Sequence, residues 1–391
     1  MTEVWVTGMS LCSALGTTLP TSWSALLQGK SGVAFHQPFP EIPPHPLGLI
    51  GQTPTSVDDL LARAVPEVLA DAQLHPSPQV RWGFSVGSSR GYQAELEALI
   101  RQQHLGLSWP SPDCWLKVYG QSPGCVIAQQ LHLNGPVLAP RAACATGLWV
   151  IAQGAELIRT GQCDVVIAGA VDAPITPLTL AGFRQMGALT HTGVYPFDCR
   201  RSGFALGEGI GLLLLERKEH AQRRNAQPYG QVLGFGLTND ACYVNAPAPD
   251  RYRAIMAIQD CLRRSLLHPA QVDYIHAHGT GTILNDEMEA EMISKLFGHQ
   301  IAVSSTKGAT GHTLGASGAM GAIFSLMALH QQILPPCVGL QDPIYPLRWV
   351  IQGQPSSAVQ VTLCLSFGFG GQNAAIAFAL TTPKSEGKYI S

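Results

Sequence analysis

Charge is what this chain has least of: only 13% of its 391 residues are charged, against roughly 25% in an ordinary soluble domain. Lys and Arg number 24 and Asp and Glu 26, for a formal net charge of −2. Without a basic excess there is no electrostatic footprint for nucleic acid, and any charged partner must be met by a local patch. Long apolar runs are missing too. Stretches such as Val165 to Val171 and Leu212 to Leu215 stop far short of the ~18 residues that cross a bilayer, so no membrane span is expected. The amino end, Met-Thr-Glu-Val-Trp-Val-Thr-Gly-Met, lacks the basic start of a secretory signal and reads as a strand entering a glycine turn. A cytoplasmic setting is the expectation. Ten cysteines carry no Cys-x-x-Cys pair and no regular spacing, which speaks against a disulfide framework and a zinc ribbon. Most should be reduced, buried and inert.

Apolar and small residues are abundant instead: 46% of the chain is hydrophobic, with 41 Gly and 28 Pro. Such a chain can bury enough surface to offset the conformational entropy lost on ordering. Its length suits two domains or two halves of one layered unit. Residues 36 to 57 are proline-rich and form a loop or irregular cap. Beyond them, strands expected at Trp82–Val86, Pro136–Ala143 and Asp164–Ala170 alternate with helices at Tyr92–Gln103 and Thr146–Thr160. The second half repeats the style, with helices at Arg253–Leu267, Asp286–Leu296 and Ser317–Gln331 and strands at Val272–His276, Val359–Leu365 and Ala374–Leu380. This alternation predicts a layered α/β fold around a mainly parallel sheet covered on both faces. The polar stretch from Glu216 to Pro228 places the junction between halves 1–226 and 227–391, and the tail Pro383–Ser391 is expected to be loose.

Four segments carry candidate chemistry. In Arg141-Ala-Ala-Cys144-Ala-Thr-Gly147 a cysteine stands between a strand and a helix, where free backbone N–H groups and the helix dipole favour thiolate. Small neighbours let a substrate carbonyl approach; the plainer reading is one packed cysteine among ten. Val272-Asp-Tyr-Ile-His276-Ala-His278-Gly-Thr280-Gly-Thr282 is a strand stopping at a glycine-threonine turn. Its two histidines share a face, so a metal site with Asp286 is conceivable, although the turn suits a polar organic chain better, and a backbone-satisfied histidine is the plain alternative. The third segment, from Val303 through Lys307 and His312 to Gly321, packs five glycines around a Lys and a His without matching a phosphate loop. It also reads as a helix start packed tightly on another helix. Ser366-Phe-Gly-Phe369-Gly-Gly-Gln372-Asn373 is by itself a hairpin or bulge.

Together, in this order, and with Pro196-Phe-Asp-Cys-Arg-Arg-Ser-Gly-Phe-Ala-Leu-Gly-Glu-Gly209 between them, these segments resemble the β-ketoacyl-acyl carrier protein synthases of the thiolase-like condensing enzymes. The resemblance runs from about Val4 to about Leu380. It implies a five-layered α/β/α/β/α fold of two related halves, usually dimeric, with no cofactor and no catalytic metal. It further implies a decarboxylative Claisen condensation. Cys144 would take an acyl group from a carrier protein; His278 and His312 would stabilise the enolate of the malonyl unit. Lys307 would supply fixed charge, Thr280 and Thr282 would hold the pantetheine arm, and Phe369 would gate the nucleophile and donate its N–H to the oxyanion. Phe183 would line the acyl pocket and Tyr119 its far wall, shortening or reshaping it. An acidic carrier protein would dock on Arg200, Arg201 or Lys117, for which salt-bridged or solvated readings are equally open.

The departures are Gly321 where many bacterial elongating synthases have Glu, His276 where Asn or Glu is usual, and Gln372 for Thr. They put in question a structural cation and the substrate, not the Cys, His, His set. Fatty-acid elongation by a free-standing homodimer is the leading expectation. A polyketide or specialised-lipid ketosynthase is its near rival. A non-catalytic chain-length-factor-like subunit usually lacks the nucleophile, and a thiolase would place a cysteine motif where residues 368 to 371 carry Phe.

Overall fold

The computed structural model describes residues 2–107, 111–118, 122–355 and 359–381. Tyr119 and the tail Pro383–Ser391 lie outside these residues. Eleven strands form one hydrogen-bonded sheet and are numbered here in chain order: β1 Val4–Ser13, β2 Trp82–Gly87, β3 Val137–Leu138, β4 Val165–Asp172, β5 Gly209–Arg217, β6 Gly230–Asn239, β7 Tyr274–His276, β8 Ala302–Ser304, β9 Arg348–Trp349, β10 Val361–Gly368 and β11 Gln372–Ala379. Seven helices matter to the site: α1 Val57–Asp71, α2 Gln93–His104, α3 Thr146–Arg159, α4 Pro177–Gln185, α5 Tyr252–Arg264, α6 Ile283–Phe297 and α7 Ala316–Gln331.

The strand order is β9-β8-β7-β10-β11-β6-β1-β5-β4-β2-β3. Pairings toward both edges are parallel. Those from β10 through β4 are antiparallel, so the expected mainly parallel sheet is corrected to a mixed one. The physical reason is the connections: a parallel neighbour needs a crossover helix, as α3 supplies between β2 and β4, whereas β10 and β11 turn back through a tight loop. The strand expected at Pro136–Ala143 shrinks to Val137–Leu138, because Pro136 and Pro140 have no N–H to give a ladder and the chain then winds into a 3₁₀ turn at Ala143–Ala145.

Period-two alternation sorts the sheet's side chains into layers. Leu213 and Leu215 of β5 and Ile376 and Phe378 of β11 face inward onto α3 and α7, in a core that draws on both halves of the chain. Leu212 and Leu214 face outward under α1. Leu363 and Leu365 of β10 face outward under α5 and α6. Helix, sheet, central helices, sheet and helix make the five layers. The central helices meet because Gly147 has no side chain: a Cβ there would lie 2.2 Å from the Ala319 nitrogen. Among the described residues no helix is long and apolar enough to cross a membrane.

Candidate active site

Cys144 sits half-buried on the 3₁₀ turn that feeds α3, preceded by Ala143 at φ +47°, a left-handed conformation that costs a residue with a Cβ. Thr146 pins the turn, accepting from the Ala142 N–H at 2.9 Å and donating to the Ala143 carbonyl at 2.7 Å. From the other side, Ser366 Oγ donates to the Cys144 carbonyl at 2.9 Å. The end of β10 comes so close that a Cβ on Gly368 would lie 3.0 Å from the Cys144 nitrogen. This contact brings the Phe369 N–H onto the Cys144 sulfur.

Burial dominates the thiol. It pushes Cys144 up to about 11 against the pull of Lys307 and the Phe369 N–H, so the expected thiolate is corrected to a resting thiol at neutral pH.

His278 and His312 approach the same sulfur: one donor atom of each ring and Sγ lie within 4.8 Å of one another. Both imidazoles are buried and held well below the ordinary histidine range, by desolvation first and the charge of Lys307 second, so both are neutral. The tautomer of His278 follows from its neighbour. Lys307 Nζ lies 3.2 Å from Nδ1, and an ammonium can only donate, so Nδ1 accepts and the proton sits on Nε2. Lys307 also donates to the His278 carbonyl. His312 Nδ1 faces Ser317 Oγ at 3.0 Å, a hydroxyl that also accepts from the Thr313 N–H. The ring of His312 stands edge-on to that of His278, with centroids 5.5 Å apart.

A second tier fixes this cluster. Glu289 of α6 accepts from the N–H groups of His278 and Gly279 at 2.6 and 2.7 Å, and Asp286 one turn earlier accepts from Phe197 and Gly281. Burial raises both carboxyls and lowers Lys307 below the usual lysine range, so Glu289 and Lys307 balance one another's desolvation. Asp172, at the end of β4, accepts from Ser88, Ser89, Arg90 and the Gly315 N–H, tying the first half to the glycine-rich loop. Sequence reading missed Glu289, Asp172, Ser317 and Ser366. In a chain this poor in charge, Asp286 and Glu289 three apart at the start of a helix were the available signal.

The remaining candidates distribute as follows. Thr280 and Thr282 share a 2.8 Å hydrogen bond and line, with Phe183, Phe369 and both catalytic-candidate histidines, an open cleft of about 260 Å³ that is also lined by Cys144. Asp286 accepts from Phe197, Gly281 and Asn285, and among the described residues His276, His278 and Asp286 do not converge as a metal site. His276 instead meets Thr306 Oγ1 at 3.1 Å and fills the space beside Gly321, where a Cβ would lie 2.8 Å from its ring. Arg200 is held by the Asp198 carboxylate at 2.7 Å and by the Gly339 carbonyl, and Arg201 by the Asp198 carbonyl and Tyr345. Both follow the salt-bridged or internally bonded reading. Lys117 closes a short helix, and its side chain is outside the described set. Gln372 opens β11.

Comparison with known proteins agrees over most of the chain. The family description "Beta-ketoacyl synthase, N-terminal domain" matches residues 55–221, and its C-terminal counterpart residues 229–341. The mitochondrial 3-oxoacyl-[acyl-carrier-protein] synthase of Arabidopsis thaliana is 32% identical over 96% of this chain and 93% of its own. The 3-oxoacyl-[acyl-carrier-protein] synthase 2 of Vibrio cholerae is 33% identical over 96% and 98%. Among solved structures, a type II polyketide ketosynthase complexed with its acyl-carrier protein superposes with a TM-score of 0.91 at 26% identity, covering 97% of this chain and 100% of that one. A ketosynthase bound to its chain length factor from Xenorhabdus doucetiae gives 0.84 at 27%, covering 97% and 98%. The chain belongs to the β-ketoacyl synthase family and has its thiolase-like fold.

Proposed function

We propose that this protein is a 3-oxoacyl-acyl carrier protein synthase that condenses a Cys144-bound acyl group with malonyl-acyl carrier protein in fatty-acid elongation. The observation that carries the reading is the convergence of Cys144 Sγ and the His278 and His312 ring nitrogens within 4.8 Å at the end of one cleft. In the first step Cys144 sulfur attacks the acyl thioester, its S–C bond forms as the pantetheine S–C bond breaks, and the thiol proton ends on the departing sulfur. The N–H groups of Cys144 and Phe369 stabilise the tetrahedral oxyanion. In the second, the malonyl carboxylate leaves as CO₂ and its electrons enter the thioester as an enolate. The Nε2–H of His278 and that of His312 donate to the enolate oxygen. Its carbon then attacks the acyl-Cys144 carbonyl, releasing the Cys144 thiolate, which takes up a proton. Lys307 holds the His278 tautomer and offsets the developing charge. Thr280 and Thr282 bind the pantetheine arm, and Phe183 borders the acyl group.

The two halves, 1–226 and 227–391, bring one wall of the cleft each. A homodimer is supported by the edge of the first half, where among the described residues β3 has one side unpaired and Val137 and, on the helix packed against it, Val126 are exposed. The cytoplasmic setting stays a proposal beside a plant relative named as mitochondrial. A polyketide pathway is the second reading, favoured by the TM-score of 0.91 to a polyketide ketosynthase.

Intact-mass measurement after incubation with acyl-carrier proteins of graded length tests the proposal. An acyl adduct that disappears in Cys144→Ala supports it. No adduct with any primer, while carrier protein still binds, overturns it in favour of a non-catalytic partner subunit.

A further inference from the structure

Phe183 is bordered by four groups: Phe204 edge-on at 5.2 Å, Phe369 at 6.2 Å, the apolar residues around Leu180, and a guanidinium. Arg90 Cζ lies 5.2 Å from the Phe183 centroid. Arg90 belongs to the turn after β2, where its own N–H is fixed on Asp172 at 2.9 Å, so the side chain leaves a backbone that cannot shift freely. It is half-buried, yet among the described residues its guanidinium has no hydrogen-bond acceptor and no carboxylate within ion-pair reach. Acids nearby are committed elsewhere. Asp172 is saturated by Ser88, Ser89, Arg90 N–H and Gly315, and Glu97 accepts from Thr176, Gln93 and the Leu178 N–H. A second cation stands alongside: a Cβ on Gly91 would lie 2.7 Å from an Arg141 nitrogen. The Arg90 guanidinium thus rests against the ring of Phe183, in an apolar cluster that reaches Cys144 and Phe369, while Arg141 borders the next residue, Gly91. A half-buried guanidinium without an acceptor has its donors free for an anionic or oxygen-rich group.

We infer that Arg90 makes this ketosynthase select acyl groups whose distal end carries a carboxylate, which the planar guanidinium receives in a two-pronged hydrogen bond after the chain has passed Phe183. This rests on the reading of Cys144 as acyl acceptor and of Phe183 as a wall of the acyl site. Arg90 is a specificity residue and takes no part in bond making. A guanidinium suits the task because its five donors match two carboxylate oxygens, which a lysine ammonium matches less well.

The test is a competition. Full-length protein is incubated with equal amounts of a medium-length alkyl-acyl-carrier protein and its analogue with carboxylate in place of the terminal methyl, and the two Cys144 adducts are counted by intact mass. Wild type is expected to favour the carboxylate primer by about ten-fold or more, as a charge-assisted hydrogen bond of ~1.5–3 kcal/mol implies. Arg90→Ile should reverse the preference, and Arg90→Lys should retain part of it. Equal rates in wild type, or a preference unchanged in Arg90→Ile, overturn the inference while leaving Cys144 as the acceptor. If Arg90→Ile instead dissociates a dimer without altering the preference, the guanidinium serves a partner's carboxylate and the inference fails. No adduct from either primer overturns the acceptor reading itself.

Discussion

On one wall of the cleft a single thiol stands on a strained turn, held by a threonine, a serine and a backbone that needs glycine at 368. On the other, two imidazoles, an ammonium and two carboxylates are buried together, each fixed by charge or by hydrogen bonds from N–H groups. The first wall positions by covalent geometry and stays uncharged at rest. The second positions by electrostatics, and its histidines are kept neutral by burial first and by the charge of Lys307 second. Loss of a group from the first wall should therefore remove one step, and loss from the second should remove the chemistry of charge development.

The sharpest test separates the two walls. Cys144→Ala is expected to abolish condensation yet keep malonyl decarboxylation, measured as CO₂ release. His312→Ala should lose decarboxylation by ~10²–10³, the usual cost of one oxyanion donor. Equal decarboxylation in both variants would remove the contrast. Next comes pH. Lys307 is lowered, so its charge is present at low pH and lost as pH rises through a value below the usual lysine range. Decarboxylation by Cys144→Ala should fall along that limb, and Lys307→Arg should move the limb upward; a flat profile would mean the lysine charge is not needed. Gly321→Ala should destabilise the protein by about 1–3 kcal/mol by forcing a Cβ onto the His276 ring, and a second change, His276→Ala, should return part of it in thermal melts. Additive effects would show that the two sites do not touch. The smallest effect is expected at Arg200→Ala, about 1 kcal/mol of stability with carrier affinity unchanged in binding isotherms, since Asp198 keeps backbone donors from Arg200, Gln341 and Asp342.

Residues whose role is set by local backbone were legible in the sequence. A cysteine before a helix, a glycine-threonine turn after a strand and a glycine-rich loop with one Lys and one His announce themselves by order and spacing, and the fold follows from strand and helix alternation in each half. The antiparallel centre of the sheet was not legible, because β1, β5, β6 and β11 gain their partners from distant segments whose pairing no local pattern records. Glu289 escaped for a related reason: its partners are two N–H groups eleven and ten residues away in the chain, brought over by the turn at Gly281. The thiol's protonation was misread because the dipole is a local property and desolvation is a property of everything packed around it.

One strand pairing bears on how the molecule comes apart. Val4, Trp5 and Val6 of β1 pair with Val232, Gln231 and Gly230 of β6, and the central core mixes side chains from both halves, Leu213 with Ile376 and Leu148 with Ala319. Each half keeps an outer cluster of its own, under α1 and under α5 and α6, but separating the halves would open the shared central core to water. Two matched sequence domains should thus give a single heat-absorption peak, with calorimetric and van't Hoff enthalpies in agreement.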